Sequence, residues 1–296
     1  MPPLNALKDI AKPQPLEMED DYLRENLSQQ ELVTNGGSRS DSNSTVEDVE
    51  NQRPTRDQIK LVAILCFVNL INYMDRYTVA GLLTDIEVAF DLTEGQKGLL
   101  QTAFILVYMV MAPLYGYLGD RFNRRVLMAV GVFLWSLTTL LGSFMQTYHW
   151  FLVMRCFVGI GEASYSTIAP TLISDIFVSN LRSKMLALFY FAIPVGSGLG
   201  YITGSEVADI AERFLPPAES ADAWRWGLRV TPVMGLVAVL LIIFVLKEPP
   251  RGVSEGAQHL KPTSFISDIK HLVSNRTYIF TTLAFTCVTY VAGALA

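Results

Sequence analysis

The sequence predicts an all-α polytopic membrane protein, and three observations lead to that prediction. Hydrophobic residues make up 51% of the 296-residue chain. They are gathered, from residue 59 onward, into blocks of the length of a bilayer-spanning helix, about 20 residues. Short polar loops separate the blocks, and Lys and Arg collect in alternate loops. A soluble core cannot absorb so many apolar stretches, whereas spanning helices satisfy their own backbone hydrogen bonds in lipid.

Seven apolar blocks are long enough to be predicted spans. They cover residues 59–81, 98–118, 126–145, 150–172, 185–205, 228–246 and 277–296. We expect the first six to form one bundle (59–246). The seventh reaches the end of the sequence, and we expect it to be a truncated helix that begins a missing second half.

The polar segments complete the predicted domain organisation. Residues 1–58 are rich in Ser, Asn, Gly and Glu, and we predict a disordered tail. The excess of Lys and Arg in alternate loops places the N-terminus in the cytosol. A cytosolic linker, residues 247–276, carries apolar residues at helical spacing: Phe265, Ile266, Ile269, Leu272 and Val273. This pattern is typical either of an interfacial amphipathic helix or of a short helix packed under the bundle.

Several classes of function find no support in the composition. The formal net charge is -5, which does not suggest nucleic-acid binding. The three cysteines fall inside apolar blocks and lack metal-ligand or disulfide spacing. No nucleotide loop or Ser/His/Asp set is present either, so we predict no enzyme activity, no cofactor and no metal.

The loop between the second and third spans carries an ordered signature, GYLGDRFNRR, at residues 116–125. Such a short connection places the two helices side by side and antiparallel. Gly116 allows close helix approach, and Asp120 can accept charge-assisted hydrogen bonds. The arginines, Arg121, Arg124 and Arg125, add positive charge on the cytosolic side.

This signature resembles the G-x-L-x-D-R-x-x-R-R loop of the major facilitator superfamily. In that superfamily the loop latches the two halves together on the cytosolic side. The resemblance implies a six-helix N-terminal half, a longer cytosolic linker and then a C-terminal half. The order of spans predicted above matches the first part of that plan.

Four charged residues fall inside predicted spans, where charges are rare and usually face a bundle interior. Asp75 and Arg76 lie in the first span, and Arg155 and Glu162 in the fourth. Helix rise places Asp75 roughly 24 Å from the cytosolic face and Arg155 roughly 7–8 Å from the opposite face of a ~30 Å core. These depths agree, so an Asp75–Arg155 ion pair is geometrically feasible. Glu162 shares a helix face with Arg155, about 10 Å deeper and near the midplane.

Two interpretations of these charges stay open at this stage. A near-midplane carboxyl beside an Arg/Asp pair suits a proton-coupled carrier, because its proton occupancy can follow conformation. The alternative is a static ion-pair strut between the first and fourth spans. Arg76 lies about 100° around the helix from Asp75 and can instead reach the outer interface.

The fifth span contains small residues at four-residue spacing. Gly196, Gly200 and Gly204 follow Pro194. This spacing permits close helix packing, and the proline permits a kink. The run also resembles the glycine-rich fifth-helix motif of antiporters, although the Gly-Pro order differs, so we assign it to packing first.

Four runs together resemble one family, the Spinster transporters. They are NYMDRYTVAG at 72–81, YLGDR at 117–121, GEASYSTIAPTL at 161–172 and FYFAIPVGSGLGY at 189–201. The resemblance covers residues 59–296. It is closer to the lysosomal branch, as in KEPPRG at 247–252. Family members move lysophospholipids out of lysosomes with protons, or sphingosine-1-phosphate across the plasma membrane.

The resemblance carries expectations for residues and partners. By matched motif, Asp75 and Glu162 correspond to proton-coupling residues, and Arg76 and Arg155 to headgroup or ion-pair residues. The expected partners are a lysolipid, protons and the bilayer, in the lysosomal or late endosomal membrane or else the plasma membrane. Sphingosine-1-phosphate export is the alternative transport function. An alternative of another class is a non-transporting truncated isoform that binds and regulates the full-length protein, a paralogue or itself.

Overall fold

The computed structural model describes residues 54–216, 220–249 and 265–295, and its regular elements there are helices. The helices are α1 (Arg56–Gly81), α2 (Leu83–Phe90), α3 (Glu94–Arg121), α4 (Arg124–Gly142), α5 (Tyr148–Ile176), α6 (Ser179–Phe214), α7 (Trp224–Phe244), α8 (Phe265–Ser274) and α9 (Arg276–Leu295), with a short 3-10 turn at Ser220–Asp222. The predicted tail, up to residue 53, and the linker between 250 and 264 lie outside the described residues.

All seven predicted spans coincide with helices, and most of these helices begin earlier or end later than predicted. Five helices in the described part of the chain are long and apolar enough to cross a membrane: α1, α3, α4, α6 and the stretch containing α7. The predicted span 150–172 lies in α5, which has 29 residues and carries Arg155 and Glu162. The predicted span 277–296 coincides with α9.

Capping residues explain the early start of two helices. The Thr55 hydroxyl accepts a hydrogen bond from the Gln58 backbone N–H, and the Gln58 side chain accepts one from the Thr55 N–H, so α1 begins at Arg56. Thr93 and Gln96 form the same capping box at the start of α3. Each box satisfies two N–H groups that the first helical turn leaves unpaired.

The short helix α2 was not predicted from the sequence. It occupies part of the segment we expected to be a loop and ends at Asp91, whose φ of 51° is left-handed. Ile86 of α2 is fully buried in a cluster with Leu82, Leu100 and Trp224. Tertiary packing of this one apolar side chain therefore stabilises a helix whose own length is too short to be stable.

The most extensive contacts in the bundle join four pairs of helices, and α3 with α4, which the short loop predicted to lie side by side, is not one of them. α1 packs along α6, and α5 packs along both α3 and α4, with α7 against α4. The larger apolar core joins residues of α1, α4, α5 and α7, including Leu65, Trp135, Tyr165 and Ile242. This arrangement brings the charged segments of α1 and α5 to the same level inside the bundle.

The amphipathic linker helix was predicted in one of two positions, and α8 bears on that choice. Ile269, Leu272 and Val273 are 43%, 45% and 63% exposed. The described side chains of its apolar face are therefore not packed under the bundle. The exposed apolar face fits the membrane-interface position, and the choice between the two positions stays a prediction.

Candidate functional site

A salt bridge between α1 and α5 forms the centre of the site. Arg76 Nη2 lies 2.7 Å from Glu162 Oε2, and Arg76 Nε donates to the same oxygen at 3.3 Å. The Glu162 side chain is fully buried, whereas that of Arg76 is 25% exposed. The other carboxylate oxygen of Glu162, Oε1, is buried and has no hydrogen-bond partner among the described residues.

Asp75, the neighbour of Arg76, is held by two hydroxyl groups from other helices. The Thr139 hydroxyl of α4 donates to Asp75 Oδ2 at 3.0 Å, and the Thr231 hydroxyl of α7 donates to Oδ1 at 2.5 Å. Asp75 is 1% exposed. Both oxygens of this buried carboxyl group are therefore satisfied by neutral donors, which tie α1 to α4 and α7.

Arg155 is buried without a hydrogen-bond partner. It is 2% exposed, and its three side-chain nitrogens lack partners within the described part of the chain. Its charge acts on both Asp75 and Glu162. A void of only about 10 Å³ adjoins it, which is the space of about one water molecule.

Aromatic rings separate and surround the two arginines. The guanidinium carbons of Arg76 and Arg155 lie 4.9 and 5.0 Å from the centre of the Phe104 ring. Arg76 also lies 5.1 Å from the ring of Tyr73 and 5.4 Å from that of Tyr108. The rings offer cation–π contacts to charges that are withdrawn from water.

These contacts correct two expectations from the sequence. No salt bridge joins Asp75 to Arg155 among the described residues, and the oxygens of Asp75 instead accept hydrogen bonds from two threonine hydroxyls. Arg76 does not reach the outer interface, because its guanidinium turns inward to Glu162. The four charged side chains do lie together, but the salt bridge joins Arg76 to Glu162.

The sequence did not predict that Thr139 and Thr231 bond to Asp75, or that the Phe104 ring lies beside both arginines. Thr139 and Thr231 stand in apolar runs, LWSLTTLLG and RVTPVMG, where a threonine usually bonds to its own helix backbone. Thr138 does this, donating to the Leu134 carbonyl at 2.8 Å. A threonine within an apolar span was the signal that the sequence offered. It did not tell which of Thr138 and Thr139 bonds outside its own helix.

The loop signature between α3 and α4 places one arginine at the centre of a second polar cluster. Arg124 is 6% exposed, and its Nε donates to the Gly119 carbonyl at 3.1 Å. Its guanidinium pairs with Asp175 at the end of α5, and its backbone N–H donates to Glu248 Oε1 at 3.2 Å. Arg124 also lies 3.6 Å from Asp120. Here the signature joins the ends of α3, α4 and α5.

The remaining signature residues lie around this cluster. Arg121 stacks 4.4 Å over the Tyr117 ring, and Arg125 donates to the Ile243 carbonyl of α7. A methyl group added at Gly116 would meet Thr167 at 3.5 Å, so the glycine is not strictly required for packing. A separate cavity of about 510 Å³ opens where the start of α1 meets the ends of α5 and α7, away from the four central charges.

The glycine stripe of α6 lies directly against α1. A Cβ added at Gly196, Gly200 or Gly204 would lie 2.8, 2.5 or 3.0 Å from the carbonyl oxygens of Leu70, Met74 and Thr78, respectively. The backbones of the two helices are therefore almost in contact next to Asp75 and Arg76. α6 continues as one helix through Pro194.

The bundle and its buried charges define a polytopic α-helical membrane protein, and comparison with known proteins gives its family. Residues 65–296 match the sequence profile of the Major Facilitator Superfamily. The chain belongs to this superfamily, as the loop signature predicted.

Within the superfamily, the sequence is similar to Spinster proteins, which confirms the resemblance found above. It is 60% identical over 241 residues to protein spinster of Drosophila melanogaster, covering 81% of this chain and 38% of that protein. It is 53% identical over 241 residues to protein spinster homolog 1 of Homo sapiens, covering 80% of this chain and 44% of that protein. The chain thus spans less than half the length of these relatives.

A solved structure shares the fold. It is a bacterial homologue of the human lysosomal transporter Spinster, in an inward-facing and unoccupied conformation. The TM-score is 0.62 at 22% identity, and the match covers 72% of this chain and 46% of that one. At this identity the likeness supports the fold alone.

Proposed function

We propose that this chain forms the N-terminal half of a proton-coupled lysophospholipid transporter. The observation that carries the proposal is the arrangement of Arg76, Glu162 and Arg155. One arginine is paired with a buried carboxylate and partly open, while the second is buried and none of its donors has a partner among the described residues. A phosphate group with its acceptor oxygens is the complementary ligand for such guanidinium groups.

Arg76 is the residue that meets the headgroup first. Its side chain is 25% exposed, whereas Arg155 is closed off beneath the shared Phe104 ring. Arg155 contacts the phosphate only after the helices around it separate, and until then it provides positive charge to Asp75 and Glu162. In this proposal the phosphate contacts Arg76 first and Arg155 second.

Glu162 and the substrate phosphate compete for Arg76. A proton on Glu162 removes the negative charge from the salt bridge and frees the Arg76 donors for the phosphate. Because binding linkage is reciprocal, a bound phosphate in turn favours the protonated form of Glu162. This coupling predicts that proton and lysolipid move in the same direction, with Asp75, bonded to two threonine hydroxyls, as the second proton-coupling carboxyl group.

The test is flux of a fluorescent lysophosphatidylcholine through the full-length protein in vesicles with an imposed pH gradient. Glu162→Gln is expected to retain transport while losing its dependence on the gradient. Arg155→Lys, which keeps the charge but not the planar fork, is expected to lose most of the flux. Arg229→Gln is the control, since Arg229 stacks on Phe144 and Trp226 away from the site.

Two results would overturn the proposal. Unchanged gradient dependence in Glu162→Gln would leave Glu162 with a packing role only. Full flux in Arg155→Lys would remove Arg155 from headgroup binding.

Sphingosine-1-phosphate is tested in the same vesicles, because its phosphate fits the same arginines. A strong preference for it would assign the sphingolipid alternative. Lysosomal residence is part of the proposal and is checked by colocalisation of the tagged full-length protein with a lysosomal marker.

A further inference from the structure

A groove on the outer surface of the bundle runs between α4 and α7. Its volume is about 610 Å³, within the range of small-molecule sites. Its lining is apolar apart from two residues at one end: Asn123, Arg125, Val126, Ala129, Val130, Phe133, Val239 and Ile243. None of the four central charges contributes to it.

The groove faces out of the bundle. Val126, Val130 and Phe133 are 55%, 59% and 46% exposed, while Ala129 and Val239 form a floor that is 6% and 9% exposed. The opposite face of α4 is buried in the main core. In a membrane-spanning chain an outward apolar surface of this kind lies within the hydrocarbon region, where lipid is available to fill it.

A cation stands at the cytosolic end of the groove. Arg125 donates a hydrogen bond to the Ile243 carbonyl, which fixes its guanidinium across the end of α7. This bond uses one of the five N–H donors of an arginine. Asn123 caps the α4 N-terminus beside it by accepting from the Val126 N–H at 3.1 Å.

We propose that this groove binds one anionic glycerophospholipid of the cytosolic leaflet. Arg125 binds the phosphate, and an acyl chain lies along Val126, Val130 and Phe133, which span about 10 Å of helix. The lining residues include no carboxylate that could accept the ammonium group of a zwitterionic lipid. Charge complementarity therefore selects an anionic headgroup, as in other basic pockets at the cytosolic ends of membrane helices.

The experiment counts lipids retained by the chain after release from nanodiscs. The nanodiscs contain equal phosphatidylglycerol and phosphatidylcholine, and native mass spectrometry measures both lipids. The wild type is expected to retain phosphatidylglycerol preferentially. Arg125→Gln is expected to lower that retention about fivefold, the contribution of one basic residue near an anionic headgroup. Val130→Trp, which fills the groove, is expected to lower it with Arg125 intact.

Controls separate the groove from general lipid contact. Val237→Trp changes an exposed residue of α7 that does not line the groove, so retention is expected to stay at the wild-type level. Equal retention of the two lipids by the wild type, or equal losses in the Val130 and Val237 variants, would overturn the proposal. Thermal unfolding of each variant verifies the fold. The readout involves no transport, so the result does not depend on the function proposed above.

Discussion

Arg76 Nη2 and Glu162 Oε2, 86 residues apart in the sequence, lie 2.7 Å apart and join α1 to α5 at the charged site. Arg76→Ala would leave Glu162 fully buried with an uncompensated charge, which costs on the order of 3–5 kcal/mol. We expect that loss of stability in denaturant unfolding of the purified chain. The double variant Arg76→Ala/Glu162→Gln is expected to recover much of it. Additive losses in the double variant would contradict a direct pairing.

Asp75 depends on hydroxyl donors from two other helices. Thr231→Val and Thr139→Val each remove a hydrogen bond to a buried carboxyl group, and we expect a cost of about 1.5–3 kcal/mol each. Thr138→Val is the matched control, because the Thr138 hydroxyl bonds only to its own helix. Equal destabilisation by all three variants would show that loss of the hydroxyl, rather than of the Asp75 bond, matters.

The stripe of glycines on α6 makes a prediction about packing. A Cβ at Gly200 would lie 2.5 Å from the Met74 carbonyl oxygen, whereas a Cβ at Gly198 meets nothing within 4 Å. We therefore expect Gly200→Ala to destabilise the bundle by about 1–3 kcal/mol through overpacking. Gly198→Ala is expected to be neutral or slightly stabilising in the same thermal unfolding assay, since alanine favours helix.

Arg121 and Arg124 of the loop signature have unequal structural roles. Arg124 is buried and pairs with Asp175, while Arg121 is exposed and lies over the partly buried Tyr117 ring. We expect Arg124→Gln to lower the unfolding midpoint and Arg121→Gln to change it little. Limited proteolysis at the loop between α3 and α4 measures the same difference. Similar behaviour of both variants would mean that the signature contributes only charge to the stability of this half.

One carboxyl group outside the spans predicts a pH dependence. Partial burial raises the pKa of Asp85 in α2, and the charges of Asp209 and Glu212 raise it further. A raised pKa means that stability from this group is present at low pH and is lost as pH rises through the folded-state pKa. Asp85→Asn should therefore raise the unfolding midpoint at pH 7. The gain should vanish near pH 4 or below, and a constant gain would contradict the titration.

The sequence determined where the charges lie along their helices. Span length and helix rise placed Asp75 and Arg155 at similar depth, and the motifs identified the family from runs of adjacent residues. These are properties of one helix or one loop at a time, and local spacing fixes them. The loop signature also predicted that α3 and α4 lie side by side, and this was wrong, because each of the two helices packs along α5 and they barely contact each other.

Only the tertiary structure decided which side chains meet. Depth along a helix leaves its rotation and neighbours undefined, so Asp75 and Arg76 were equally able to face Arg155 and Glu162. The close approach of α6 to α1 through glycines, and the positions of Thr139 and Thr231 on α4 and α7, turn Asp75 toward hydroxyl groups and Arg76 toward Glu162. Tertiary structure also decided that α2 forms. Burial of Ile86 among residues distant in the sequence outweighs the weak tendency of this short segment to form a helix by itself.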